Sequence, residues 1–300
     1  MKALEVKNLS ISFNRYQKGL KKKDLKVISN LNISLYEGQI LAIAGSSGSG
    51  KSLLAHAILG ILPKNAKVEG TMLWYGEPLT LSLQKKLRGK ELALVPQSIT
   101  YLDPIKRVGK QISEDQSKVT AVLKRYDLSE KIKRLYPFEL SGGMARRVLL
   151  ATAVAGNAKV IIADEPTPGL SKELAETAMS HFRELADQGA AVLLITHDLD
   201  LALRYADRIA VFYAGTTVEI AKASDFEREE LLRHPYSRAL WNAMPQNNFK
   251  STPGVQPYAG SIESGCVFAP RCNLKTLECT QTTPPMRILR DGEVCCYHAT

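Results

Sequence analysis

Apolar and polar positions alternate over Ala3–Ser12, where Leu4, Val6, Leu9 and Ile11 mark a half-buried strand. Val27–Leu35 predicts a second strand. Gln39–Ala44 reads as a strand buried on both faces. Short apolar runs recur at Glu91–Val95, Lys159–Ala163, Ala191–Thr196 and Ile209–Tyr213. Helical spacing predicts a helix starting near Lys51 (Leu53, Leu54, Ala57, Ile58) and others over Gly143–Ala155, Lys172–Gln188 and Leu199–Tyr205. Strands alternating with helices predict a mainly parallel α/β core. The basic stretch Arg15–Lys26, with its cluster at Lys18–Lys26, reads as a loop.

Composition narrows this only slightly. A hydrophobic share of 45% is ordinary for a chain with a buried core. No apolar run approaches the roughly 18 residues that cross a bilayer, and Met1–Leu9 lacks the apolar stretch of a secretory signal. Both point to a cytoplasmic protein, brought to any membrane by other chains. The net charge of +10 is scattered, which fits a basic soluble surface; nucleic acid and an anionic membrane face are the sharper readings. Residues 245–265 are rich in Pro, Gly, Ser, Asn and Gln, as a linker is.

Two segments carry phosphate chemistry. Gly45-Ser46-Ser47-Gly48-Ser49-Gly50-Lys51-Ser52 fits G-x-x-x-x-G-K-[ST], after a predicted strand and before a predicted helix. Its glycines let backbone amides converge on phosphate oxygens at a helix N-terminus. Lys51 is placed to meet the β- and γ-phosphates, and the Ser52 hydroxyl to hold Mg²⁺. Val160–Glu165 is an apolar strand ending in two acids. Asp164 suits Mg²⁺, and Glu165 suits a general base beside the γ-phosphate.

Leu140-Ser141-Gly142-Gly143-Met144 precedes those acids. Gln97 follows one strand and His197 ends another. Alone, each is a turn, a cap or a structural polar residue; in this order the chain resembles the ABC ATPase family. The resemblance implies a P-loop NTPase of the ABC type: a mainly parallel core, an antiparallel β subdomain and a helical subdomain at about 98–156, with a Cys-rich C-terminal extension. It implies ATP hydrolysis between two subunits, with Lys51 on phosphate, Ser52, Gln97 and Asp164 on Mg²⁺, Glu165 on water and His197 on the γ-phosphate. Ser141, Gly142 and Gly143 act on the partner's nucleotide. Phe13 corresponds to the aromatic residue that stacks on adenine, with Tyr16 as second choice.

Residues 234–245 resemble the HPYTxxLLxAxP stretch of the peptide/nickel importer branch, and Gly265–Cys272 its C-terminal module. This divides the chain into an ATPase domain, 1–244, and a linker with Cys-rich module, 245–300. The branch implies a subunit at the cytoplasmic face of the membrane. Its partners are a homologous second ATPase, two integral permease chains and an extracytoplasmic binding protein, with no nucleic acid. Peptides are the first expected cargo and nickel or a nickel chelate the second. The competing class is a soluble ABC ATPase acting on nucleic acid or ribosomes. Three departures stand out: Arg146 where the family has Gln, Pro168-Gly-Leu-Ser171 where Ala-Leu-Asp is commoner, and the basic insertion after β-strand one.

All five cysteines fall at 266, 272, 279, 295 and 296. In a cytosolic chain that clustering favours ligation over disulfides. Four thiolates suit a [4Fe-4S] cluster. Zinc is the alternative, although its tight C-x₂₋₄-C pairs are missing. Free thiols are the third reading. The importer branch implies a cluster on Cys266, Cys272, Cys279 and Cys296, with Cys295 able to substitute for the last.

Overall fold

A computed structural model describes residues 1–16, 22–45, 48–262 and 264–300. The elements are numbered in chain order. First come β1 (Lys2–Tyr16), β2 (Lys22–Tyr36), β3 (Ile40–Gly45) and α1 (Lys51–Leu59). β4 (Ala66–Trp74), β5 (Glu77–Pro78), α2 (Leu81–Leu87) and β6 (Leu92–Val95) follow. The next segment is helical, with α3 (Val108–Ile112), α4 (Gln116–Arg125) and α5 (Gly142–Val154) joined by short 3₁₀ turns. Then come β7 (Val160–Asp164), α6 (Lys172–Asp187), β8 (Ala191–Ile195), α7 (Leu199–Tyr205), β9 (Arg208–Tyr213), β10 (Thr216–Lys222) and α8 (Pro235–Asn242). The C-terminal part adds α9 (Leu277–Gln281), β11 (Arg287–Leu289) and β12 (Gly292–Val294).

β2-β1-β4-β5 form an antiparallel sheet. Strict alternation would put Val6 and Leu9 on opposite faces. The pairing slips between them, at Asn8 with φ 51°, and both end up buried. A bulge of this kind resets the phase of the pleat, and Asn tolerates the left-handed backbone it needs. The basic stretch is not one loop: β1 runs through Tyr16 and β2 starts at Lys22, while 17–21 lie outside the described residues. Pairing such as Asn14 with Asp24 extends the hairpin past the apolar alternation that marks it in the sequence.

The main sheet runs β11-β12-β10-β9-β3-β8-β7-β6, with β9, β3, β8, β7 and β6 parallel. Period two divides the core. Ile40, Ala42 and Ala44 of β3 face the layer built with Val148, Leu150, Met179 and Phe182 of α5 and α6. Leu41 and Ile43 face Leu54 and Ile58 of α1 and the antiparallel sheet. In such a sheet ligands bind beyond the carboxyl ends of the strands, and the loops after β3, β6, β7 and β8 carry Gly48, Gln97, Glu165 and His197.

The C-terminal hairpin adds to the edge of this same sheet, with Glu219 and Ile220 of β10 opposite Val294 and Glu293 of β12. Arg233 fastens it. Its guanidinium is buried, pairs with Glu219 at 3.2 Å and Asp225 at 2.8 Å, and donates to the backbone carbonyls of Leu289 and Arg290. The Cys-rich segment therefore borrows its order from the ATPase core instead of building a separate one, as expected for a short tail poor in apolar residues.

Candidate nucleotide site

β3 delivers the phosphate loop to the centre of the sheet. A Cβ on Gly45 would come 2.5 Å from the Phe212 carbonyl oxygen, so β9 packs too closely there for any side chain. Gly50 has φ 93° and stands at the start of α1 with no side-chain cap, at the helix end that favours an anion. Ser46 and Ser47 lie outside the described residues. Lys51 is buried and donates to the Gly45 carbonyl at 2.9 Å. Burial pulls its pKa down, and the charges of Glu165 and Asp164 pull it back up.

The end of β7 faces this loop. The Ser52 hydroxyl donates to Asp164 Oδ1 at 3.1 Å. Burial pushes Asp164 above the usual carboxylate range, against the Ser52 hydrogen bond. Glu165 takes a left-handed φ of 49°, which turns its carboxylate out of the strand; its Oε2 lies 2.7 Å from His197 Nδ1. One open cavity is lined by Gly48, Gly50, Lys51, Ser52, Gln97, Glu165 and His197, with Val27 and Pro168 in its wall. The expected hydrolytic residues are thus gathered from four loops.

The Ser141–Gly143 segment is not in that cavity. Gly142 and Gly143 border a neighbouring one, together with Gln97 and Pro168. Ser141 caps α5, accepting from the Met144 amide at 3.3 Å. Phe13 is half-buried against the core; it pairs with Leu25 on β2 and is not in the wall of the phosphate cavity. Ser171 caps α6 by accepting from the Leu174 amide at 3.3 Å, a local task that Asp or Ser performs equally well.

Arg146 gains a role that sequence reasoning missed. It is only 5% exposed and reaches from α5 to three backbone carbonyls: Pro96 at 3.0 Å, Gln97 at 2.5 Å, and Glu165. Helix α5, the Gln97 loop and the end of β7 are thereby tied through one guanidinium. Its acceptors are backbone atoms, so no residue type in the sequence announces them.

The sulfurs collect near α8. Cys266, Cys272, Cys279 and Cys296 line one narrow cavity with His234 and His298, whereas Cys295 turns toward Met286 Sδ at 3.7 Å. Cys296 is pushed up to about 11 and Cys295 to about 12, burial being the largest cause in each. Among the described residues no three His, Cys, Asp or Glu side chains sit close enough to hold a single metal ion.

A family model described as ABC transporter matches residues 28–168, and one described as oligopeptide/dipeptide transporter, C-terminal region, matches 218–279. The dipeptide transport ATP-binding protein DppD of Haemophilus influenzae is 33% identical over 99% of this chain and 96% of its own length. The chain belongs to the ABC transporter ATP-binding family. The oligopeptide transport ATP-binding protein OppD of Escherichia coli is also 33% identical, over 97% of this chain and 91% of its own. A bacterial ABC transporter cassette solved as a dimer superposes with a TM-score of 0.64 at 26% identity, over 73% of this chain and 98% of that one. This ABC protein is accordingly an ATPase, and among its described residues no helix is long and apolar enough to cross a membrane.

Proposed function

We propose that this ABC ATPase powers the import of di- or oligopeptides through permease chains of the membrane, acting at their cytoplasmic face beside a homologous second ATPase. The observation that carries the chemistry is Glu165 held at 2.7 Å by His197, in one cavity with Lys51 and Ser52. Lys51 neutralises phosphate charge. The Ser52 hydroxyl and Asp164 carboxylate, already turned to each other, are hard oxygen donors that suit Mg²⁺, with Gln97 as the third group; bound there, the ion neutralises charge on the β- and γ-phosphates. Glu165 orients and deprotonates the attacking water, and His197 holds Glu165 and contacts the γ-phosphate. Ser141, Gly142 and Gly143, which stand outside this cavity, complete the partner's site, so hydrolysis requires the closed pair.

The relatives are named for dipeptides and oligopeptides, which favours peptides over nickel as cargo. The C-terminal match counts against a soluble ATPase acting on nucleic acid or ribosomes. In proteoliposomes with the permeases, peptide-loaded extracytoplasmic binding protein should raise ATP hydrolysis. A rate indifferent to peptides, yet raised by a nickel chelate or nucleic acid, would refute this reading.

The four cysteines of the narrow cavity fit a [4Fe-4S] cluster in this reading. Backbone amides of Phe268 and Ala269 point at the Cys266 sulfur, that of Leu274 at Cys272 and that of His298 at Cys296. Amides so directed favour thiolates, and the thiolates repel one another until a cation joins them. The tight C-x₂₋₄-C pairs usual for structural zinc are absent from this stretch. A cluster there adds cross-links to a tail already held by β10 and Arg233. Iron, sulfide and zinc analysis of anaerobically purified protein decides between the two metals, and zinc without sulfide would replace the cluster.

A further inference from the structure

The cavity that holds the phosphate residues does not stop at their loop. Val27 and Gly48 line it, and the same two residues line a second cavity with Leu25, Lys26 and Ser49. The far wall of the second cavity comes from elsewhere in the chain. It is the segment Gln256–Ala259, from the stretch that leads from α8 to the cysteines.

Close approaches hold this segment in place. A Cβ on Gly215 would lie 2.3 Å from the Val27 oxygen and 2.6 Å from the Ala259 Cβ, so the turn after β9 admits the segment only as glycine. Gly260 packs over the Lys26 carbonyl, where a Cβ would stand at 3.4 Å. The Ser261 amide and hydroxyl both donate to the Tyr258 carbonyl, at 3.0 and 2.8 Å. Tyr258 is thus presented on a fixed turn at the cavity, with its side 56% exposed.

Glu165, His197 and Gln97 fix the γ-phosphate end of the nucleotide, and Lys51 and Ser52 fix its passage along the loop. The base must then lie past Gly48, toward β2. Phe13 stands directly opposite Leu25 across the β1–β2 pair, so the two side chains share a face, and Leu25 borders the second cavity. Leu25 on β2 and Tyr258 of the C-terminal segment thus both line that cavity.

We propose that Tyr258 is the second wall of the purine pocket and stacks on the adenine of ATP, opposite the face shared by Phe13 and Leu25. The C-terminal segment is then part of the nucleotide site, and ATP occupancy is linked through Tyr258 to the cysteine module that begins at Cys266. The inference rests on ATP as the nucleotide.

The test uses the full chain assembled with its partner subunits in nanodiscs. Equilibrium affinity is measured for ATP and for inorganic tripolyphosphate, which lacks a base, in wild type, Tyr258→Ala and Tyr258→Phe. Loss of one base–aromatic stack weakens binding by roughly 5- to 140-fold. Tyr258→Ala should lose affinity for ATP within that range and none for tripolyphosphate, while Tyr258→Phe keeps both. Unchanged ATP affinity in Tyr258→Ala overturns the proposal. Equal losses for both ligands overturn it as well, because the segment would then act through the phosphate loop and not through the base.

Discussion

Replacing Arg146 by Met keeps the bulk of the side chain and removes the guanidinium. Three backbone carbonyls, those of Pro96, Gln97 and Glu165, then lose a charged donor. Hydrogen bonds to charged groups contribute about 1.5–3 kcal/mol each, so the gross loss is about 5–9 kcal/mol. Against it stands the burial of the cation itself. No carboxylate bonds it directly, and taking a charge out of water costs several kcal/mol. The two nearly cancel, and the net loss of stability should be about 1–3 kcal/mol. Activity should suffer more. The loops bearing Gln97 and Glu165 lose their shared anchor, and misplacement by about 1 Å costs on the order of 100-fold in rate. We therefore expect Arg146→Met to lower kcat about 10- to 100-fold with little change in ATP affinity. Arg146→Gln, which still reaches some of the carbonyls, should retain most of the rate. Single-turnover hydrolysis in the assembled transporter, beside urea unfolding of the same samples, measures both quantities. A folded Arg146→Met protein with wild-type kcat would show that the carbonyl ties hold nothing the chemistry needs.

Glu165→Gln should keep ATP affinity and lower turnover by about 10²–10⁴-fold, the usual worth of a positioned general base; undiminished single-turnover hydrolysis would remove Glu165 from that role. His181 is buried on Tyr126, its Nδ1 2.9 Å from the hydroxyl, and burial lowers its pKa to about 4. A histidine held below its unfolded value stabilises the fold above that value and loses this contribution as pH falls. Between pH of about 6.5 and 4 the stability slope should include about 1.4 kcal/mol per pH unit from this one proton, and urea titrations should find that slope absent in His181→Gln. Asp164 is raised by burial, the opposite sign, so its ionised form destabilises the nucleotide-free fold as pH rises; Asp164→Asn should raise the neutral-pH Tm of that form while abolishing Mg²⁺-dependent turnover. Iron retained after anaerobic purification should be lost in Cys296→Ser and kept in Cys295→Ser, because only Cys296 borders the cavity of the other three sulfurs.

The residues proposed for hydrolysis could be picked out as candidates because each sits where local chemistry has few solutions: a glycine loop after a buried strand, paired acids at the end of another, a polar residue closing a third. β4 was not read, since most of Ala66–Trp74 is exposed and offers no alternation to find. β11 and β12 have three residues each, too few for any period, and exist because the edge of β10 pairs with them. Arg146 was visible as a departure but not as a tie. Likewise, nothing near Tyr258 in the sequence points to Gly48; that proximity arises only when the tail crosses back over β2.

The buried pair of Arg233 and Glu219 also imposes an order on biogenesis. Glu219 lies on β10 and Arg233 soon after it, but two of the guanidinium's acceptors, the carbonyls of Leu289 and Arg290, lie 56 and 57 residues beyond Arg233. While those residues are still inside the ribosome, the emerged ATPase core carries a charged pair with incomplete partners and an unpaired strand edge. Such edges invite pairing with other chains. The hairpin of β11 and β12, translated after the ATPase core, closes both at once, so synthesis of that hairpin, and not completion of the nucleotide fold, ends the exposure of this edge to aggregation.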